Sequence, residues 1–177
     1  MTQRPYFRDV WCLAPGHGYP GVFPRGLMDR VTKRWNGEKR LMLFAGSFKE
    51  KGWDTVDVKA AAGAKYTLDA ENLPREWTEK YDFVFADPPY SEKEAEDLYG
   101  LPYFNVVKVV NEMARVTKGG GTMAFLHRLV PQYHPQDTIH FKRMKVVGVI
   151  GVYTMAGYTN MRALTVWRKQ ETLEEVH

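Results

Sequence analysis

The stretch YDFVFADPPY, residues 81–90, decides how this chain is read. Tyr81-Asp82-Phe83-Val84-Phe85-Ala86 is a short apolar run, rich in aromatics, of the kind that forms a buried strand. It stops on Asp87, after which Pro88 and Pro89 remove two backbone donors in succession. Tyr90 then presents a planar ring. Asp and Pro are ordinary turn residues, so a strand-terminating turn is one reading. The other is chemical. Ionised Asp87 is acceptor-only and can take a hydrogen bond from an amino group, and the prolines hold their carbonyl oxygens fixed without competing N–H groups. Tyr90 offers a face on which a planar base can stack. Such a pocket suits an exocyclic amine, whose lone pair is delocalised into its ring until fixed acceptors favour a pyramidal nitrogen.

Outward from this run, strands alternate with helices. Gly26–Trp35 reads as a helix with Leu27, Val31 and Trp35 on one face. Leu41–Phe44 is a short strand ending at Ala45-Gly46-Ser47, followed by strands at Thr55–Val58 and Lys65–Leu68. Val106–Val116 reads as a helix that Lys118-Gly119-Gly120-Gly121 ends through a left-handed cap. A further strand covers Thr122–Leu126. Arg143–Val152 and Met161–Arg168 face each other across Ala156-Gly157-Tyr158-Thr159-Asn160. This order predicts a largely parallel α/β sheet whose last hairpin adds an antiparallel strand. In such sheets ligands bind beyond the carboxyl ends of the strands, and Gly46, Asp57, Asp69 and Asp87 all fall there.

Composition bounds the function. The 177 residues are 44% hydrophobic and 14% aromatic, enough for one sizeable core. The single cysteine, Cys12, excludes an internal disulfide framework and a multi-Cys zinc site, and fits a reducing, cytoplasmic setting. No apolar run reaches the length of a membrane span, and MTQRPYFRDV lacks a signal-peptide core. The charge is uneven: residues 1–51 carry ten Lys/Arg against four Asp/Glu, the remainder fifteen against seventeen. A basic N-terminal third, with Arg30, Lys33, Arg34, Lys39 and Arg40, suits a polyanion; a solvated helix face and its exit is the alternative. His17, His127, His134 and His140 form no pair at metal-ligand spacing, so no metal is assigned. His127, at the end of the fifth strand, reads as a surface or packing residue, with a place facing the pocket as the alternative.

Asp87-Pro88-Pro89-Tyr90 after an apolar strand resembles the catalytic motif of class I, S-adenosyl-L-methionine-dependent amino-methyltransferases of the DPPY type, which act on nucleic acids. LMLFAGS (41–47) is similar to the family's first cofactor motif, and YPGVFPRGLMDRV (19–31) to the segment preceding it. LDAENLP (68–74) and ARVTKGGGTMAFLH (114–127) resemble later segments in the right order. The resemblance implies a Rossmann-like, seven-stranded, mostly parallel sheet with flanking helices, a single domain over 1–177, and no separate target-recognition domain. It implies Asp87, Pro88, Pro89 and Tyr90 as catalytic residues. It implies Phe23, Pro24, Phe44, Ala45, Gly46, Ser47, Asp57, Asp69, Ala70 and Asp87 around S-adenosyl-L-methionine. Asp57 would bind the ribose hydroxyls and Asp69 approach the adenine amino group. The leading acceptor is adenine N6 in DNA. Cytosine N4, an RNA base and a protein glutamine amide stay open, as does a non-catalytic nucleic-acid-binding or partner subunit. Association with a second copy of the chain stays open too. Two departures stand out: Phe48 occupies a position where the family usually has a second glycine, and few residues separate Gly46 from Asp57. Residues 91–105 read as a loop or lid, with Tyr99, Tyr103 and Phe104 either stacking on bases or packing over the core.

Overall fold

The computed structural model describes residues 6–16, 23–155 and 161–171; His17, residues 19–22 of the first similar segment and the turn at 156–160 lie outside them. Eight strands form one sheet: β1 (Phe7–Leu13), β2 (Arg40–Leu43), β3 (Trp53–Asp57), β4 (Tyr66–Thr67), β5 (Tyr81–Ala86), β6 (Thr117–His127), β7 (Met144–Thr154) and β8 (Arg162–Lys169). Their order is β1-β7-β8-β6-β5-β2-β3-β4. All pairings are parallel except those of β8, which runs antiparallel to β6 and β7. All seven expected strands are present. The eighth, β1, is an edge strand parallel to β7, and its sequence FRDVWCL buries only Trp11 and Leu13. That run is too polar to announce a strand.

Alternation divides the core between two faces. Leu41, Leu43, Val84, Ala86, Met123 and Phe125 point to one side. There they meet Val109, Val110 and Met113, as well as Phe141. Val109, Val110 and Met113 belong to α3 (Val106–Val116) and Phe141 to α4 (Ile139–Lys142). Met42, Phe83, Phe85, Ala124 and Leu126 point to the other, against Leu27, Met28 and Val31 of α1 (Leu27–Arg34). Each large side chain fully buried this way contributes about 1.5–3 kcal/mol. Between β5 and α3, a short helix α2 (Glu92–Glu94) runs into a π-helical turn, Ala95–Tyr99.

The glycine run does not end α3. The helix stops at Val116, and Gly119, Gly120 and Gly121 belong to β6, where the register against β5 shifts. A left-handed glycine cap is unnecessary because other groups take the terminal carbonyls. The Lys169 ammonium, fully buried, donates to the carbonyls of Ala114 and Thr117, both at 2.7 Å. The Glu79 and Lys80 N–H groups donate to those of Arg115 and Val116.

Residues 44–52, between β2 and β3, contain no helix, in keeping with the short spacing from Gly46 to Asp57. Phe48 fills the resulting gap. Its ring meets those of Phe23 and Trp53 edge-on, with centroids 5.9 and 5.5 Å away, and packs on the α1-side core.

Candidate active site

Register brings the expected residues to one edge. Leu43 pairs with Ala86, and Ala86 with Phe125, so Phe44 and Asp87 leave the sheet level with Leu126, one residue before His127 ends β6. Asp57 closes β3 beside Thr67 of β4, and Asp69 follows two residues later. His127 faces Ala163 across the β6–β8 pair, which sets Arg162 next to Arg128 at the same edge.

On the β2–β3 side, the Asp57 carboxylate ties two loops together. Its Oδ2 accepts from the Gly46 N–H and its Oδ1 from the Lys59 N–H, both at 2.9 Å. Two bonds leave this carboxylate further lone pairs for hydroxyl donors. Phe44 holds a left-handed backbone (φ 55°) and packs on Phe104, centroids 5.1 Å apart; Gly46 is left-handed as well (φ 49°). A Cβ at Gly46 would meet no atom within 4 Å, so the turn opens on free space. Ala45 is buried, its N–H bonded to the Val56 carbonyl, and Ser47 is exposed. Phe23 lies edge-on to Phe48 and Phe85, next to buried Pro24. Asp69 is exposed and accepts from the Glu71 N–H, while Ala70 is buried. An open glycine turn flanked by carboxylates with spare acceptor capacity fits a nucleoside cofactor.

On the β5–β6 side, Asp87 is partly buried and its Oδ1 accepts a short hydrogen bond from the Tyr90 hydroxyl. Burial pushes the Asp87 carboxyl up to about 7, against the opposing pull of the Tyr90 hydrogen bond and the Arg162 charge. Pro88 is buried and Pro89 partly so. The Tyr90 N–H donates to Glu94 Oε2 at 2.7 Å, and the Ser91 hydroxyl caps the short helix by accepting from the Glu94 N–H. Tyr90 is therefore fixed at both its backbone and its hydroxyl, more tightly than a simple stacking face requires.

His127 packs fully buried, against the Tyr90 ring of this motif rather than at the surface. Its ring meets Tyr90 edge-on (5.5 Å) and stacks on Phe125 (5.4 Å). The Leu129 N–H donates to Nδ1 at 2.9 Å, which assigns the ring proton to Nε2, 3.1 Å from the Tyr103 hydroxyl. Burial lowers the His127 pKa and keeps the ring neutral, although the neighbouring Pro89 carbonyl favours the proton. Tyr103 and Phe104 thus pack as part of the wall. Tyr99 is different: it ends the π-helical turn, and burial, then the charges of Asp87, Glu94 and Asp57, raise its hydroxyl pKa. The wall joins residues from distant parts of the chain, and only its chain-local part could be read in advance.

The basic run lies elsewhere. Lys33 and Arg34 end α1 and Arg40 opens β2, at the sheet edge opposite Asp87. Arg34 pairs with Asp9 and covers the Phe7 ring, and Arg40 lies over Trp53. Among the described residues no group of three or more His, Cys, Asp or Glu could hold a metal ion, and no helix is long and apolar enough to cross a membrane.

No family model matches this chain, and no curated protein matches it either. Solved structures do. The chain is similar to the MccD protein (14% identity, 83% of this chain and 97% of that one, TM-score 0.55). It is also similar to the N-methyltransferase NodS from Bradyrhizobium japonicum WM9 (14% identity, 82% and 93%, TM-score 0.53). A third is a protein studied for the conversion of a disulfide bond into a thioacetal group during echinomycin biosynthesis (11% identity, 85% and 84%, TM-score 0.51). These likenesses agree with the Rossmann-like methyltransferase fold.

Proposed function

We propose that the chain is an S-adenosyl-L-methionine-dependent methyltransferase acting on an exocyclic amino nitrogen of a nucleic-acid base, with adenine N6 in DNA the leading acceptor. The observation that carries this reading is the shared edge: the Gly46 turn and Asp57 on one side, Asp87-Pro88-Pro89-Tyr90 on the other. Gly46, Asp57, Asp69 and Ala70 would hold the cofactor, with Phe23, Pro24, Phe44, Ala45 and Ser47 lining the approach. When bound there it supplies an electrophilic methyl group on a sulfonium.

The chain's own residues do the rest. Asp87 and the Pro88 carbonyl accept hydrogens from the acceptor amine, which frees the nitrogen lone pair. Tyr90 orients Asp87 through its hydroxyl, and neutral His127 holds Tyr90 and the proline turn from below. Catalysis of this kind rests on orientation and proximity, with no covalent enzyme intermediate. A base in a duplex must first be flipped out, at a cost of about a few kcal/mol. We assign both recognition and chemistry to the one domain, with nucleic acid as its partner.

The test is mass spectrometry of nucleosides from DNA and RNA incubated with the full chain and cofactor. Methylated adenine or cytosine is expected with the wild type. Asp87→Ala should abolish transfer while calorimetry shows nearly unchanged cofactor affinity. A folded Asp87→Ala protein with wild-type transfer would reduce the motif to a turn and overturn the assignment.

A further inference from the structure

Two guanidiniums flank the Tyr90 ring. Arg128 lies with its Cζ 5.7 Å from the ring centroid and Arg162 with its Cζ 5.1 Å away. They come from opposite strands: Arg128 follows the last residue of β6, and Arg162 is the first residue of β8. Neither forms an ion pair among the described residues, whereas Arg34, Arg115 and Arg143 all do. The Arg162 charge reaches the Asp87 carboxyl, but that carboxyl is already engaged by the Tyr90 hydroxyl. Cationic side chains clustered without anionic partners, and braced on an aromatic ring, form a receptor for an oxyanion. Arginine's forked donors match phosphate geometry, so a phosphate ester is the ligand such a pair takes best.

We infer that Arg128 and Arg162 form a phosphate subsite beside Tyr90, which grips the phosphodiester flanking the acceptor base. The inference rests on the proposed acceptor class and narrows it. Recognition of the polyanion then moves from the basic N-terminal third to the β6–β8 end of the sheet. The geometry supports that move, because Lys33, Arg34, Lys39 and Arg40 sit at the opposite sheet edge and two of them are already occupied. A strand held at Arg128 and Arg162 delivers its adjacent base to Asp87. One held at the far edge does not.

The experiment measures binding of a labelled single-stranded oligonucleotide to the full chain against salt concentration. Each phosphate contact on a single strand contributes about 0.7 to the slope of log K against log salt, so Arg128→Gln with Arg162→Gln should lower the slope by about 1.4. The KM for the oligonucleotide should rise roughly tenfold or more, the scale of losing charge-assisted hydrogen bonds. Arg128→Lys with Arg162→Lys, which keeps both charges, should restore the slope and guards against misfolding as the cause. Lys33→Gln with Lys39→Gln should leave the slope unchanged. A slope untouched by the Arg128/Arg162 pair, or equally reduced by the Lys33/Lys39 pair, overturns the inference. Adenosine 5′-monophosphate serves as a second probe. Arginine-dependent binding of this nucleotide without oligonucleotide binding supports the subsite and assigns it to a small phosphorylated acceptor. Arginine-dependent binding with no methyl transfer by the wild type leaves the subsite standing and removes the proposed reaction; transfer that is indifferent to both arginines does the reverse.

Discussion

At Asp87, burial and hydrogen bonding pull in opposite directions, and the carboxyl settles near 7. Its ionised form is acceptor-only and the stronger acceptor for an amine, so transfer should climb as pH rises through about 7 and then level off. The folded pKa lies above the value of about 3.9 expected for an unfolded Asp, so the native state binds the extra proton. The Asp87 contribution to stability is therefore lost as pH rises from about 4 to about 7. Asp87→Asn should consequently melt no lower than the wild type above neutral pH while losing transfer. A flat pH–rate profile across neutrality would remove Asp87 as the titrating acceptor. Tyr90→Phe keeps the ring but deletes the hydrogen bond that favours ionised Asp87. A charge-assisted bond of about 1.5–3 kcal/mol corresponds to an upward move of the rate midpoint by about one to two pH units. If the midpoint stays in place, the ring face alone is what matters at this position. The acids were legible in sequence because each follows an apolar run, and a parallel sheet gathers its strand ends on one edge. The role of the Tyr90 hydroxyl was not, since it depends on a side-chain rotamer. Nor was the place of His127, Arg128 and Arg162, which depends on how β6 and β8 register across the sheet.

Periodicity located α1, α3 and seven strands of the sheet, but not the short helices α2 and α4, because buried strands and a helix such as VVKVVNEMARV impose their spacing on the apolar residues whereas three or four residues set no period. It missed β1, whose outward residues are charged, and misread the end of α3, where a glycine run mimics a cap. The true terminator, Lys169, lies far along the chain and gives no local signal. Removing its ammonium strands two buried carbonyls. Lys169→Met should therefore cost about 2–4 kcal/mol, read as a lower urea midpoint with unchanged m-value. A midpoint within error of the wild type would mean that the Ala114 and Thr117 carbonyls find other donors. Phe48 shows the same logic at the other end of the sheet: a departure from a familiar glycine that makes physical sense once no helix covers Phe23 and Trp53.

Across the whole molecule the two halves of the sheet are unequally supported. Strands β5, β6, β7 and β8 pack against α3 and α4, whereas β3 and β4 are connected through loops and 3-10 turns, and β4 spans only Tyr66–Thr67. Asp57 and Asp69, the proposed cofactor acids, stand on the lightly supported half. Amide exchange should accordingly be faster in β3 and β4 than in β6 and β8. Adding S-adenosyl-L-methionine should slow it at 44–48, 57–59 and 66–70 and leave β7 and β8 little changed. Uniform slowing throughout the sheet would count against a site confined to that half. The helix-free crossover at 44–52 bears also on how the chain finds its shape. Parallel strands ordinarily wait for a connection of about a dozen residues or more to be ordered. Here Leu43 and Trp53 are joined by a segment of a length that closes in roughly 10–100 ns. The β2–β3 pair is thus a local contact, open to early formation as the β7–β8 pair is, while β2 meets β5 and β6 meets β8 across much longer separations. The strands beside the proposed cofactor turn would then assemble among the first, before the helix α3 that covers one face of β2 is in place.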